Sequence, residues 1–270
     1  MAFLHQSDEI NFTVVEDFSK VTKMYKICYS EAFTWYKLRK MICQYFSEEA
    51  KKGMKVLEVG CGAGTNIWMF NDLFYDAKGI EFYGMDISLK AIKAAKEYEV
   101  EMESKNCFFT VGDAERLGYK DDSFDIVVCT EVLEHLPNPN ETLKEIHRVL
   151  KLGGVAIITT PNRENILKKI AGKMIEEKVE ADCQKTESYQ KVDDSFGHIS
   201  VLSSKEIIEL SKEVGFKIEK IRKGSLVYGL PYFDRHQILF GVILIFDAIL
   251  DHLPHNYNFS WHVVLKLRKI

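Results

Sequence analysis

The run Val56-Leu57-Glu58-Val59-Gly60-Cys61-Gly62-Ala63-Gly64-Thr65 admits few folds. The apolar stretch from Lys55 to Val59 has the length of a buried strand, and glycines at every second position then force a tight turn into a helix starting near Thr65. Glycine at 60, 62 and 64 removes the Cβ atoms that would keep a ligand from main-chain N–H groups, and it permits backbone angles other residues avoid. The sequence therefore predicts a strand, a ligand-facing turn and a helix, and the rest of the chain is read around that unit.

Downstream of this turn the chain alternates. A helix at 65–74 precedes a strand at 80–86, a helix opened by Ser88, a strand at 107–111 and a polar loop at 112–123. A strand at 124–129, a helix from Glu141 to Leu150, a Gly153-Gly154 turn and a strand at 155–160 follow. Repeated strand–helix units with near-continuous apolar strands predict a parallel sheet covered on both faces and joined by right-handed crossovers, a doubly wound α/β fold. Ser203 with Glu206 forms a capping-box pattern, and Gly215 stops the helix it opens. Strands at 216–222 and 261–268 complete the reading.

Three segments stand outside the rhythm. Residues 8–50 carry Phe18, Tyr25, Tyr29, Phe33, Tyr36, Tyr45 and Phe46 at helical spacings, which fits either packing on a sheet edge or a lid over a ligand. Residues 161–197 are rich in Lys and Glu and read as one amphipathic helix around Ile166, Leu167, Ile170, Met174 and Ile175 followed by a mobile loop. The stretch from Pro231 to Pro254 is apolar nearly all round, which predicts burial against the N-terminal helices, a hydrophobic acceptor tunnel or a homodimer interface. The organisation expected is a helical flank or lid at 1–50 and a catalytic domain at 51–270 with inserts at 161–200 and 226–256.

At 270 residues, with 46% apolar and 28% charged, the chain suits one α/β domain with an elaboration. A net charge of −4 offers no broad basic field, so DNA is not an expected partner. Cysteines at 28, 43, 61, 107, 129 and 183 include no CxxC pair, which fits reduced thiols better than a disulfide frame or a zinc site. The N-terminus lacks a basic flank followed by an apolar core, and the apolar stretch Ile238 to Leu250 contains Asp247 and is too short to span a bilayer. A cytoplasmic protein without a transmembrane segment is expected.

The ligand question is settled strand by strand. Gly60-x-Gly62-x-Gly64 departs from the dinucleotide pattern G-x-G-x-x-G, because position 65 is threonine. The second strand ends in Asp86, where a carboxylate can accept from a ribose diol or cap the next helix. Gly112-Asp113-Ala114 follows the third strand, with Asp113 available to an exocyclic amine and Ala114 leaving room for a flat ring. The fourth strand opens into Thr130-Glu131-Val132-Leu133-Glu134-His135. In a doubly wound sheet these positions gather at the carboxyl edge.

On these residues the sequence resembles the class I S-adenosylmethionine-dependent methyltransferases. The matching pieces are Val56 to Thr65, Gly84-Met-Asp-Ile-Ser88, Gly112-Asp-Ala114, Ser123 to Val128 with Glu131 to Pro137, and Val149 to Val155. The resemblance implies a seven-stranded, mostly parallel sheet with an antiparallel last strand, and S-adenosylmethionine as methyl donor. It places Glu58, Gly60, Cys61, Gly62 and Gly64 along the methionine moiety, Asp86 at the ribose with Ile87 beside it, and Asp113 with Ala114 around the adenine. Thr130 and Glu131 would line the sulfonium. A sulfonium ligand tolerates acids that would repel a pyrophosphate.

On the acceptor side, Glu131-x-x-Glu134-His135 places three donors near one face if the segment is helical, as a divalent metal would need. The sequence here looks like the quinone-ring O-methyltransferases and the small-RNA 3′-end 2′-O-methyltransferases, which carry this arrangement with a metal; His198 stands where the RNA enzymes supply a second histidine. Without metal, His135 or His198 can serve as general base, or each can be structural. Phe196-Gly197-His198-Ile199-Ser200 resembles the acceptor-side segment of methyltransferases acting on small molecules and on glycan or lipid precursors. No D/N-P-P-Y/F tetrapeptide of the DNA-amino enzymes follows the fourth strand. The reading is O-methylation of a small or lipid-linked acceptor. A cofactor-binding interaction module and a nicotinamide dehydrogenase are the alternatives.

Overall fold

The computed structural model of the chain describes residues 29–164, 198–228, 236–253 and 256–270. The helix and loop expected after residue 164, and the aromatics Phe18 and Tyr25, lie outside these residues. The chain divides into two compact units: Ile42–Pro161 with His198–Ile221 and Val264–Ile270, and Met1–Met41 with Asn162–Gly197 and Arg222–Val263.

In order, the main elements are α1 (Tyr29–Glu49), β1 (Lys55–Val59), α2 (Thr65–Lys78), β2 (Glu81–Asp86), α3 (Leu89–Glu101), β3 (Cys107–Val111) and β4 (Phe124–Thr130). They continue with a 3-10 turn (Leu133–His135), α4 (Pro139–Val149), β5 (Leu150–Pro161), α5 (Ser204–Val214), β6 (Phe216–Lys223), α6 (Gln237–Leu250) and β7 (His262–Lys269). One seven-stranded sheet runs β3-β2-β1-β4-β5-β7-β6. The first five strands pair in parallel. Bonds from Gly224 N–H to the His262 carbonyl (2.7 Å) and from Trp261 N–H to the Ser225 carbonyl (3.1 Å) carry the β6 and β7 chains in opposite directions. The expected fold class is the one observed.

The strands are buried as sheet interiors require. Val56 to Val59 and Ile126 to Cys129 are all buried, without the alternation of a one-sided sheet. Strand order reverses between β1 and β4, which opens a crevice at their carboxyl ends. Phe46 of α1 stacks on Phe70 of α2 at 4.2 Å and lies 6.2 Å from Phe82 of β2, so this end of the aromatic stripe serves packing. Both ends of α5 follow the sequence signals: Ser203 and Glu206 close a capping box, and Gly215 takes φ 109°. β5 departs from expectation, because the Gly153-Gly154 turn lies inside it. Advancing from residue 124 to 126 on β4 corresponds to advancing from 150 to 155 on β5, so the extra residues bulge out at the two glycines.

In the other unit, α6 is buried on one side only, so of the three expectations for this segment full burial does not hold. Only Phe240 and Asp247 of this helix are buried. Asp247 accepts from Lys223 Nζ (2.6 Å) and Leu226 N–H (2.9 Å) and also binds Lys37, while Phe33 meets Phe240 edge-on at 6.2 Å. Ile238, Leu239, Val242, Ile245, Phe246 and Ile249 are exposed. Among the described residues no helix is long and apolar enough to cross a membrane.

Candidate active site

The glycine turn leaves β1 and is tied back to β2: Gly60 and Cys61 donate to the Met85 carbonyl at 2.7 and 3.0 Å. Gly60, Gly62 and Gly64 all take positive φ, at 70°, 53° and 82°. Their missing Cβ atoms face different things, which refines the sequence argument. A Cβ on Gly60 would lie 2.3 Å from Val132 Cγ2, and one on Gly64 would lie 2.8 Å from the Phe109 ring. Only at Gly62 does the Cβ direction meet nothing within 4 Å. Two glycines thus allow protein to pack against the turn, and one opens it to a ligand.

The acids follow at the strand ends. Asp86 accepts from Gly62 N–H and from Ser88 N–H, both at 2.8 Å, so its carboxylate stands at the mouth of the turn. Ser88, not Asp86, caps α3. Ile87 is 76% exposed and offers a bare apolar face beside it. Asp113 accepts from Glu115 N–H at 2.9 Å, and Ala114 is buried. Glu58 is buried under the turn, accepting from Asn66 Nδ2 at 2.6 Å; the same amide reaches Thr130 Oγ1 at 3.1 Å. Burial, with Glu58 and Asp86 nearby, pushes the Cys61 thiol far up, so it is no nucleophile at neutral pH. An open glycine, a carboxylate at the mouth of the turn and a bare apolar face, in the company of further acids, fit a nucleoside carrying positive charge.

The segment after β4 is not the helix that the metal spacing assumed. Glu131 takes φ 53°, its N–H donates to the Thr159 carbonyl at 3.0 Å, and its Oε1 accepts from Thr159 Oγ1 at 2.7 Å. The single turn Leu133–His135 then carries Glu134 inward and leaves His135 half-exposed. Loop 198–200 is anchored here, because Ile199 and Ser200 N–H donate to the Glu134 carbonyl at 2.7 and 3.0 Å. That anchoring brings the His198 ring to 4.9 Å from the His135 ring. One ligand atom each from Glu134, His135 and His198 lies within 4.8 Å of the others. Glu131, the fourth expected donor, lies outside that set. Burial, reinforced by Glu131, pushes the Glu134 carboxyl up to about 8.

Sequence reading missed Asn66, Val132, Phe109, Thr159 and Thr160. The threonines had a signal: they are polar residues closing the carboxyl end of an otherwise apolar strand. Thr160 Oγ1 meets Glu134 Oε2 at 3.3 Å.

A seven-stranded doubly wound sheet with this turn and these acids at its switch point is that of a class I S-adenosylmethionine-dependent methyltransferase. Residues 50–219 match the family described as a methyltransferase domain, and the chain belongs to that family. The class I methyltransferase family uses S-adenosylmethionine as methyl donor. An uncharacterized protein of Methanocaldococcus jannaschii is 34% identical over 161 residues, 60% of this chain and 63% of that protein. A ubiquinone biosynthesis O-methyltransferase of Alkalilimnicola ehrlichii is 32% identical over 115 residues, 42% of this chain and 43% of that enzyme. The chain thus spans less than two thirds of the length of these curated relatives. Among solved structures, a methyltransferase of Thermotoga maritima aligns with TM-score 0.56 at 19% identity, over 96% of this chain and 97% of that one. The [4+2]-cyclase SpnF aligns with TM-score 0.57 at 20% identity, over 86% and 80%. These likenesses concern the fold, which hosts more than one chemistry.

Proposed function

We propose that the chain methylates a hydroxyl oxygen of a small or lipid-linked acceptor, and that one of His135 and His198 takes the hydroxyl proton. The observation that carries this reading is the convergence of His135, His198 and Glu134 just beyond the carboxyl end of β4. The O-methyltransferase named among the relatives supports oxygen as the acceptor atom. Residues 51–270 are taken as the catalytic domain.

S-adenosylmethionine supplies a methyl group on a positively charged sulfur. In our reading the turn at Gly60, Cys61, Gly62 and Gly64, with Glu58 beneath it, seats the methionine part. Asp86 accepts from the ribose hydroxyls beside Ile87, and Asp113 and Ala114 bracket the base. Thr130 and Glu131 face the sulfur. The protein's remaining tasks are to align the acceptor oxygen with the methyl group and to remove its proton. An imidazole, which titrates near neutral pH, suits the second task.

The same donors favour a second reading, in which a divalent cation sits between them. Ligand bonds of about 2.0–2.2 Å hold neighbouring donor atoms within roughly 3–4 Å of one another, a span that small side-chain movements would reach from the observed set. Glu134 and the two histidines would hold the ion, whose charge would lower the pKa of a coordinated hydroxyl.

The test measures methyl transfer from labelled S-adenosylmethionine to a panel of catechols and hydroxylated lipids. His135→Ala, His198→Ala or both should lower turnover by about 100-fold or more, with S-adenosylhomocysteine affinity changed less than about 2-fold. Normal turnover in both variants refutes the acceptor-side assignment. Loss of activity with EDTA and recovery with Mn²⁺ or Zn²⁺ selects the metal reading; indifference to EDTA selects the metal-free base.

A further inference from the structure

The helix α6 presents its apolar side outward and its one charge inward. Ile238, Leu239, Val242, Ile245, Phe246, Ile249 and the following Leu253 are between 44% and 89% exposed. At about 100° per residue these seven positions fall within an arc of roughly 120°, with Phe240 and Asp247 on the opposite side. The helix cannot turn that arc inward without breaking what holds it. Asp247 is 2% exposed and bound by Lys37, by the fully buried Lys223 and by Leu226 N–H. Asp251 adds bonds of 2.9 Å with each of the two lysines. A surface helix ordinarily points its polar side to water; here a buried ion-pair cluster fixes the reverse, so the apolar arc is a built surface.

We propose that this arc is the contact between two copies of the chain, α6 packing on α6 about a two-fold axis. Charge separates this occupant from a lipid surface. Interfacial helices carry Lys and Arg along their polar side, whereas Gln237–Leu250 contains neither and its only charged residue is Asp247. The chain as a whole bears −4, which opposes attraction to anionic headgroups. An uncharged, unbroken apolar arc meets itself without leaving a charge unpaired, and an isologous contact asks for that self-complementarity. Area agrees as well. Seven large side chains exposed by about half or more offer on the order of 600 Å², so two copies would bury roughly 1,200 Å², within reach of a standard specific interface. The arc also supplies bulky aliphatic and aromatic side chains able to interlock at its centre, as helix–helix contacts require.

Sedimentation of the full chain from about 1 to about 100 μM reads the proposal directly, because that range spans micromolar association. The wild type should double its mass with concentration. Ile245→Asp, and the milder Ile245→Asn should the first misfold, should weaken association by about 100-fold or more while leaving the circular dichroism spectrum and S-adenosylhomocysteine affinity unchanged. A wild type that stays monomeric at the top concentration overturns the proposal, and so does a dimer indifferent to Ile245→Asp. A monomer that floats with neutral phosphatidylcholine vesicles and loses this with Ile245→Asp gives the face to lipid and equally overturns it.

Discussion

Replacing each glycine of the β1–α2 turn by alanine separates two roles that the sequence presents as one. At both Gly60 and Gly62 the new alanine must keep a positive backbone φ, costing about 1–2 kcal/mol. At Gly62 little more is lost, because the Cβ meets nothing within 4 Å. At Gly60 it would lie 2.3 Å from Val132 Cγ2, and relieving that overlap costs a further 1–3 kcal/mol or so. Gly60→Ala should therefore destabilise by about 2–5 kcal/mol and Gly62→Ala by about 1–2. Urea unfolding with linear extrapolation resolves that difference. The decisive variant is Gly60→Ala with Val132→Ala, which removes the overlapping methyl groups. It should recover about 1–3 kcal/mol relative to the sum of the single changes, a favourable coupling. Calorimetry with S-adenosylhomocysteine gives the converse ranking, since a methyl group at Gly62 projects into the open turn and should lower affinity by about 10-fold or more. Equal destabilisation by the two alanines, or no coupling between Gly60→Ala and Val132→Ala, would refute the division of labour.

Three further outcomes follow from the same geometry. Asp86→Ala removes the carboxylate held at the mouth of the turn and should weaken S-adenosylhomocysteine binding by about 10- to 100-fold in calorimetry, the loss of charged hydrogen bonds of about 1.5–3 kcal/mol in all. Glu134 has a folded pKa raised to about 8 from an ordinary 4.5, so its contribution to stability is fullest below about pH 4.5 and fades as pH rises towards 8, at up to about 1.4 kcal/mol per unit. Glu134→Gln should flatten that part of the melting-temperature profile of metal-stripped protein, and a slope unchanged by the substitution contradicts the burial argument. Asp247→Ala leaves the buried Lys223 with Asp251 alone and should cost about 3 kcal/mol in urea unfolding; a loss below about 1 kcal/mol would mean that water already reaches the cluster.

The sheet was legible in the sequence because parallel strands covered on both faces must be continuously apolar, and Val56–Val59 and Ile126–Cys129 satisfy this without help from distant residues. Turn chemistry was legible for the same local reason, as at Ser203, Glu206 and Gly215. What failed depends on contacts across the fold. Nothing near Gly153 announces that β5 starts at Leu150, since the bulge exists only against Phe124 and Ile126 of the neighbouring strand. The spacing of Glu131, Glu134 and His135 suggests a helical face, yet Glu131 takes a left-handed φ and binds Thr159, a partner 28 positions away. The meeting of His135 and His198 could be named from resemblance, but its cause is two main-chain bonds to the Glu134 carbonyl, which no side-chain pattern encodes. On α6 the sequence shows a segment apolar nearly all round, and it leaves open whether that segment is buried, lines a tunnel or meets a second copy. Asp247, read as an interruption of the apolar run, is the residue that decides orientation, because a buried charge must follow its partners and Lys223 supplies one at 2.6 Å.

The acids around the crevice bear on turnover as well as on ligand choice. Glu58, Asp86, Asp113 and Glu131 stand at or beside the carboxyl ends of the four strands that flank the switch point. A unit charge at about 5 Å in a partly solvated site interacts with another by about 3 kcal/mol at an effective dielectric near 20. Under the proposed function this attraction acts on the positively charged sulfur before transfer and vanishes after it, because the thioether left behind is neutral. The donor is therefore gripped more strongly than its product by the same side chains. Raising ionic strength screens charges exposed to solvent and leaves buried ones almost untouched. Salt should then weaken binding through Asp86 and Asp113, and leave the contribution of the buried Glu58 largely intact. Comparing the salt dependence of S-adenosylmethionine and S-adenosylhomocysteine affinities reads the difference: a steeper slope for the charged donor is the expected result, and parallel slopes would remove electrostatics from the account of product release.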